Sequence, residues 1–512
     1  MKRDGLIVLV ASLLATAPVW IPTFPPMTDL PQHASQVALL QAMLHGGFTY
    51  ESSFHINWFT PYLLGYLLVY GLAPLVGIVT ACKIIVAAAL ASLPIATALV
   101  MTETGTDRRF AILTIPAMYG LAYHWGFLNF LVAAPLGLVF LWLALRQARL
   151  PTPGGAIGLA AAINLLFFCH ALTCVFFGLI GGFILLLSGK TPGAAIRRIL
   201  PLVSVVPVMI LWGTRTIGNP LARMPVIWDL NWFTTEDAYY GALARWTTPG
   251  GWGWGRAAGM FPRLLGTRPG VLPTLVGLAL FLIPVGAGAR FTRRPALWAP
   301  LIVCLATLLF MPGGMFANDL LFQRFTIFAL PLFLITLTEP AGRRWPRWLW
   351  PACALVVTGW IGFVSANAIR YQADADGFEQ ILARMEPRDR ALSVIFDRDS
   401  DGTIAPPFLH FPAWYSAVKG GLVDPSAAGL HVELVLFRPG SEPPARLLAF
   451  EWNPGVFEWE RFGGARYRYF VVRAPLDLGA RMFQGATCAV RLAHHVNSWW
   501  LYEKAPGCAP GS

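Results

Sequence analysis

The stretch "TDLPQHASQVALLQAMLH" places an aspartate and a histidine four residues apart, directly after an apolar segment at the amino terminus. A carboxylate at a water-membrane boundary loses part of its hydration and so gains affinity for a proton, which suits a general base. Asp29 is therefore a candidate base. His33, one turn later on the same face if a helix begins at Leu30, is a candidate to orient it or to bind substrate. The same residues also admit a structural reading, with Asp29 as an N-cap, Gln32 completing a capping pair and Pro31 in the first turn. An Asp/His pair is also part of a metal site, but no second acidic ligand lies nearby, so no cofactor is expected and a divalent metal is left open.

Further along, "YGLAYHWGFLNF" crowds Tyr119, Tyr123, His124, Trp125 and Asn129 into one connection. Aromatic faces beside hydrogen-bonding edges suit sugar binding, although an aromatic belt at a membrane interface gives the same composition. Arg324 in "QRFTIFALPLF" is a candidate phosphate clamp, because its planar fork matches a pyrophosphate or phosphodiester at headgroup level. Lys83 in "ACKIIVAAALASLP" is placed to help it. The plainer alternative for Arg324 is an interfacial arginine that snorkels to water. The Trp-rich, basic stretch 218–269 suits anionic headgroups, and its acids Asp229, Glu236 and Asp237 are weaker catalytic candidates. "DRDSDG" (397–402) imitates half a calcium loop, but Phe408 stands where the bidentate Glu belongs, so a polar turn is expected. The absence of a Walker loop, a G-x-S-x-G elbow and zinc-type Cys/His spacing speaks against an ATP-driven pump and a serine hydrolase.

The elements that must carry these residues follow from composition. The chain has 512 residues, 56% of them hydrophobic and 12% charged, far from the roughly 25% charge of a soluble domain. It reads as an α-helical polytopic membrane protein. The net charge of +12 falls in short Arg clusters between apolar runs, as cytoplasmic loop charges do, so membrane lipids and not nucleic acid are the expected partner. "MKRDGLIVLVASLLATAPVWIPTF" begins like a signal peptide, but Pro18 follows the "ATA" directly and the apolar run continues to Phe24, so an uncleaved first helix is expected.

If the uncharged stretch 58–77 lies in the outer interface without crossing, every basic cluster becomes cytoplasmic, with about eleven spans and a cytoplasmic amino terminus. The connections 25–78, 119–129, 218–269 and 312–324 then face outward. This division gives a transmembrane catalytic domain over 1–369 and a soluble extracytoplasmic α/β domain over 370–512. A surface amphipathic helix is expected after the first span, from Leu30, Ala34, Val37, Leu40 and Leu44. In the second domain, 377–385 and 477–486 read as helices, and 391–396, 432–437 and 467–474 as strands. Five cysteines lie in apolar runs as small core residues. Cys488 and Cys508 are free to pair if the tail is outside the cytoplasm.

An early span followed at once by an outer Asp, helices in that first loop, many further spans and the late "QRFTIFALPLF" segment together resemble the GT-C superfamily of integral-membrane glycosyltransferases. The resemblance covers most of the chain as an architecture. It implies inverting transfer of a sugar from a polyprenyl-phosphate donor to a lipid or glycan acceptor at the outer face, with Asp29 as the base and Arg324 at the donor phosphate. The chain departs from the pattern in having Leu30, not a second acid, beside Asp29. A transporter or flippase of lipid-linked sugars, or a non-catalytic envelope-assembly component, is the competing expectation, although no internal repeat and no mid-membrane polar cluster favours transport. The bias toward Ala, Arg, Gly and Pro, without a sorting or retention signal, suggests a bacterial inner membrane.

Overall fold

The computed structural model describes residues 3–216, 256, 259–315, 318–339, 345–447 and 449–508. Asp229, Glu236 and Asp237 lie outside the described residues. Three described helices are long and apolar enough to cross a membrane: Ile78–Thr104, Leu128–Arg149 and Leu349–Ala375. Pro192–Val203 and Val206–Thr216, bent by 46° at a short break, qualify together as a fourth. Shorter apolar helices occur at Asp4–Trp20, Leu63–Val76, Pro153–Cys169, Ala171–Leu187, Val271–Gly286, Pro295–Phe310 and Leu321–Leu334. The chain is thus a helical, apolar protein that ends in a sheet-containing region, as its composition and patterning require.

The chain forms two compact units. One comprises residues 1–20 and 86–366, the other 21–85 and 367–512. In the first, helices Leu128–Arg149 and Ala171–Leu187 approach closely because each offers a glycine where the other offers a ring. A Cβ on Gly137 would come within 2.1 Å of Phe177, and one on Gly181 within 2.7 Å of Phe140. Small residues at such crossings let backbones approach when there is no hydrophobic effect to drive helices together in lipid. Phe130, Phe176, Phe177, Phe325 and Phe328 form one aromatic cluster beneath this crossing.

The second unit is built around the helix Leu30–His45 and a five-stranded mixed sheet. The sheet order is Val490–Val496, Trp499–Lys504, Tyr469–Arg473, Arg390–Ile395, Leu422–Asp424. Arg390–Ile395 runs parallel to both of its neighbours, and the remaining pairings are antiparallel. The strands Arg390–Ile395, Tyr469–Arg473 and Leu422–Asp424 are buried almost throughout, as strands covered on both faces tend to be, whereas the edge strand Val490–Val496 is largely exposed. A separate two-stranded pair joins Phe54–Ile56 to Val435–Phe437, with the Phe54 and Phe437 rings stacked at 4.8 Å.

Several local expectations are corrected. The helix Leu30–His45 is not a half-exposed surface helix: Leu30 to Val37 are all buried, polar side chains included. Its polar residues are spent on backbone groups of the carboxy-terminal segment. Gln32 donates to the Pro425 carbonyl at 2.8 Å and accepts from Ala427 N–H at 3.0 Å. Gln36, one turn on, takes both backbone groups of Val435, at 3.1 and 2.7 Å. The helix expected over 477–486 shrinks to Gly479–Met482, and of the strand expected over 432–437 only Val435–Phe437 forms, outside the main sheet. The strands at 390–395 and 469–473 and the helix Phe378–Arg384 form where the patterning placed them. Cys488 and Cys508 form a disulfide.

Candidate functional site

Asp29 occupies the N-cap position of Leu30–His45, yet its side chain makes no capping bond. The capping pair with Gln32 therefore does not exist, because Gln32 reaches Pro425 and Ala427 instead. The carboxylate is turned toward the carboxy-terminal segment, where Oδ1 lies 3.0 Å from Nδ1 of His410. On the other side of that ring, Nε2 lies 3.7 Å from Glu451. Glu451 is buried, and Asp29 keeps 27% of its side chain accessible. One face of the carboxylate is thus held and another is open to an incoming group.

The sequence "FLHFP" explains why the imidazole stays there. Phe408 and Phe411, on either side of His410, are fully buried in an aromatic core with Tyr371, Phe378 and Trp499. Burial alone would strip the proton from His410, but the flanking Asp29 and Glu451 outweigh it and raise its pKa from 6.5 to about 10. The result is a fixed imidazolium between two carboxylates.

His33 sits one turn beyond Asp29, and its backbone N–H donates to the Asp29 carbonyl at 3.0 Å. Its side chain faces Tyr66, with Nδ1 2.7 Å from the phenol oxygen, and Tyr66 in turn donates to the carboxylate of Glu433. Burial pulls the His33 pKa down to about 4, against the raising effect of Asp29. Burial pushes Glu433 up to about 8, against the hydrogen bond from Tyr66 and with a further push from Asp29. The second unit therefore brings Asp29 and His33 together with Tyr66, His410, Glu433 and Glu451, none of which stands out in the sequence. The one available signal was His410, an imidazole set among aromatic and proline residues in an otherwise apolar run. Lys83 belongs to the same unit, and its ammonium donates to the carbonyls of Pro22 at 2.7 Å and Thr23 at 3.4 Å.

The remaining sequence candidates lie in the first unit. Arg324 is buried, donating from Nε to Leu320 O at 3.1 Å and from Nη2 to Asp319 O at 2.5 Å. Nη1 lies 3.5 Å from Nε2 of His170, and the guanidinium sits 4.1 Å above the Phe127 ring. The Asp319 carboxyl, in the hairpin before it, has its pKa raised by burial to about 6. Tyr119, Tyr123, His124, Trp125 and Asn129 are all buried. Tyr119 donates to the Ala15 carbonyl at 2.7 Å, and the His124 ring packs edge-on to Tyr123. Both polar atoms of the Asn129 amide, and both of Gln323, are buried without a hydrogen-bond partner, an uncommon state for such groups in a folded protein.

Among the described residues, no group of three His, Cys, Asp or Glu side chains is arranged to hold a metal ion. "DRDSDG" follows the strand Arg390–Ile395 as a turn, with Asp397 paired to Arg473.

No family model matches the chain, and no curated protein matches it. Among solved structures, it is similar to the crystal structure of ArnT from Cupriavidus metallidurans in the apo state. The alignment covers 99% of each chain at 12% sequence identity, with a TM-score of 0.45.

Proposed function

We propose that this chain is an inverting membrane glycosyltransferase that moves a sugar from a polyprenyl-phosphate donor to a lipid or glycan acceptor, on the outer face of a bacterial inner membrane. The observation that carries the proposal is the state of Asp29. It stands at a helix start without capping it, and it is gripped on one side by the His410 imidazolium and open on the other. A carboxylate that serves only a helix end accepts hydrogen bonds from backbone N–H groups; this one is positioned for something else.

In this reading the acceptor hydroxyl approaches the open face of Asp29, which takes its proton as the oxygen attacks the anomeric carbon. The bond from that carbon to the donor phosphate breaks, its electron pair leaves with the phosphate, and the configuration inverts. Arg324, whose guanidinium is held in place by two backbone carbonyls and Phe127, is the residue assigned to the phosphate charge, and Lys83 is a second cationic candidate. The unpartnered amide of Asn129 is available to a sugar hydroxyl, beside Tyr123, His124 and Trp125. The disulfide Cys488–Cys508 supports an oxidising, extracytoplasmic location for the carboxy-terminal region, as does the pattern of basic loops.

The test is a product assay on membranes supplied with polyprenyl-phosphate-linked sugar, comparing wild type with Asp29→Asn at equal abundance and equal melting temperature. Loss of product by a factor of roughly 10² to 10⁴ is expected for removal of a general base. Full activity in the Asn variant would reject the proposal and turn attention to movement of the lipid-linked sugar without chemistry.

A further inference from the structure

We propose that Glu451, acting through His410, is a positioning residue for the transfer: it keeps the imidazolium paired while Asp29 holds the acceptor's proton. The inference rests on the transferase reading and deepens it, because it gives a part to a buried carboxylate that touches no substrate in that reading.

Asp29, His410 and Glu451 stand in a row. Asp29 Oδ1 lies 3.0 Å from His410 Nδ1, and Nε2, on the far side of the same ring, lies 3.7 Å from Oε2 of Glu451. The second distance is beyond a hydrogen bond but well inside Coulombic reach. What Glu451 supplies to the ring is therefore charge. Glu451 and His410 are withdrawn from water, with 4% and 11% of their side chains accessible, against 27% for Asp29. The row has a closed end at Glu451 and an open end at the candidate base.

Contacts on both sides of Asp29 hold the row in register. Thr28 donates to the Pro406 carbonyl at 3.1 Å, and the Phe24 ring packs against Phe411 at 5.6 Å and Trp414 at 5.1 Å. After Asp29, Gln32 is bonded to Pro425 and Ala427. The backbone at residue 29 is thus set against the segment that carries His410. Pro31, in the first turn, has no N–H and so removes one donor that could draw the carboxylate back onto its own helix.

Glu451 matters most during the reaction. At rest the imidazolium has a carboxylate on each side, and together they keep it charged in spite of burial. During transfer the acceptor O–H bond breaks and an O–H bond forms on Asp29. The electron pair left on the acceptor oxygen goes to the anomeric carbon as the bond to the donor phosphate breaks. His410 keeps both of its protons throughout. Once Asp29 is neutral, a ring without Glu451 would be a buried cation with no counter-charge, a costly state. With Glu451 in place the ring stays half of an ion pair, so protonation of Asp29 is easier. The benefit belongs to kcat, not to binding.

The test is a double-mutant cycle on the full-length protein in membranes, with polyprenyl-phosphate-linked hexoses and pentoses supplied one at a time as donors. Glu451→Gln, Glu451→Asp, His410→Asn and His410→Asn/Glu451→Gln are compared with wild type at equal abundance, after melting curves establish folding. Glu451→Gln keeps the shape and removes the charge, and should lower kcat about tenfold with KM unchanged. Glu451→Asp keeps the charge and should retain most of kcat. In His410→Asn, whose amide replaces Nδ1 as a neutral donor, there is no ring charge to balance, so adding Glu451→Gln should change kcat little. An unchanged kcat in Glu451→Gln, equal losses from it in both backgrounds, a change confined to KM, or an Asp variant as slow as the Gln variant overturns the role of Glu451. Any of these with an inactive Asp29→Asn leaves the transferase reading standing, whereas a fully active Asp29→Asn rejects that reading and the role of Glu451 with it.

Discussion

His410 Nδ1 stands 3.0 Å from a carboxylate oxygen of Asp29, although the two residues come from opposite ends of the sequence. That ion pair joins the start of one helix to a buried aromatic core, and it makes the candidate base dependent on residues that follow the last span.

Replacing His410 by Gln removes the cation between Asp29 and Glu451, and breaking a buried pair in this way costs about 3 kcal/mol. Wild type should carry a matching pH signature. The folded His410 pKa of about 10 lies above the ordinary 6.5. Its contribution is therefore complete below pH 6.5 and lost as pH rises through 10. Thermal melts across that window should show wild type losing stability and His410→Gln lacking this component; parallel curves would count against the pair.

His33 predicts an effect of opposite sign. Its folded pKa of about 4 lies below 6.5, so its contribution is present above pH 6.5 and lost as pH falls through 4. The variant His33→Gln, measured by the same melts, should lose less stability than wild type on acidification across that interval.

Gln36 saturates both backbone groups of Val435. Gln36→Ala strands a buried N–H and a buried C=O, for a loss of about 2–4 kcal/mol. Gln36→Glu keeps the acceptor but not the donor and should fall between wild type and Ala. Chemical denaturation of the purified protein would rank the three.

Arg324→Lys retains the charge but cannot hold Leu320 O and Asp319 O while presenting a flat face to Phe127. The expected outcome in the product assay is an increase in KM for the lipid-linked donor of roughly tenfold or more, with a smaller change in kcat. An unchanged KM would remove Arg324 from the donor site.

The disulfide Cys488–Cys508 closes a loop with a sequence separation of 20, which in the chain-entropy picture is worth about 3 kcal/mol. Protein isolated with thiols blocked by alkylation should show these two cysteines unmodified and the five buried ones, Cys82, Cys169, Cys174, Cys304 and Cys353, modified only after unfolding. Labelling of Cys488 in the intact protein would contradict an oxidising location.

The membrane class, the long helices and the two central strands were legible because they rest on local pattern: apolar runs for the helices and buried β-branched runs at 390–395 and 469–473. Asp29 and His33 were legible because the two residue types stand one helical turn apart. Their partners were not. Tyr66, His410, Glu433 and Glu451 are recruited by tertiary packing from far along the chain, and no spacing rule connects them to residue 29. The capping reading of Asp29 failed for a related reason. Local hydrogen-bond propensity argued for a cap, but a charged partner and competing backbone acceptors elsewhere offered more to both Asp29 and Gln32. Likewise, the helix Leu30–His45 carries an amphipathic pattern whose polar side is satisfied by protein backbone and not by water.

The unit that holds the candidate base is made from residues 21–85 and 367–512, so its two parts leave the ribosome far apart in time. At roughly 5–20 residues per second, the earlier part waits tens of seconds for its complement. During that wait Gln32 and Gln36 have no native partners, and the future interior of the candidate site is wet. Assembly of the candidate site is thus among the last events of biogenesis. A chain stalled or clipped after its final span would carry Asp29 without the imidazolium of His410 and without Glu433 and Glu451, a candidate site left half built.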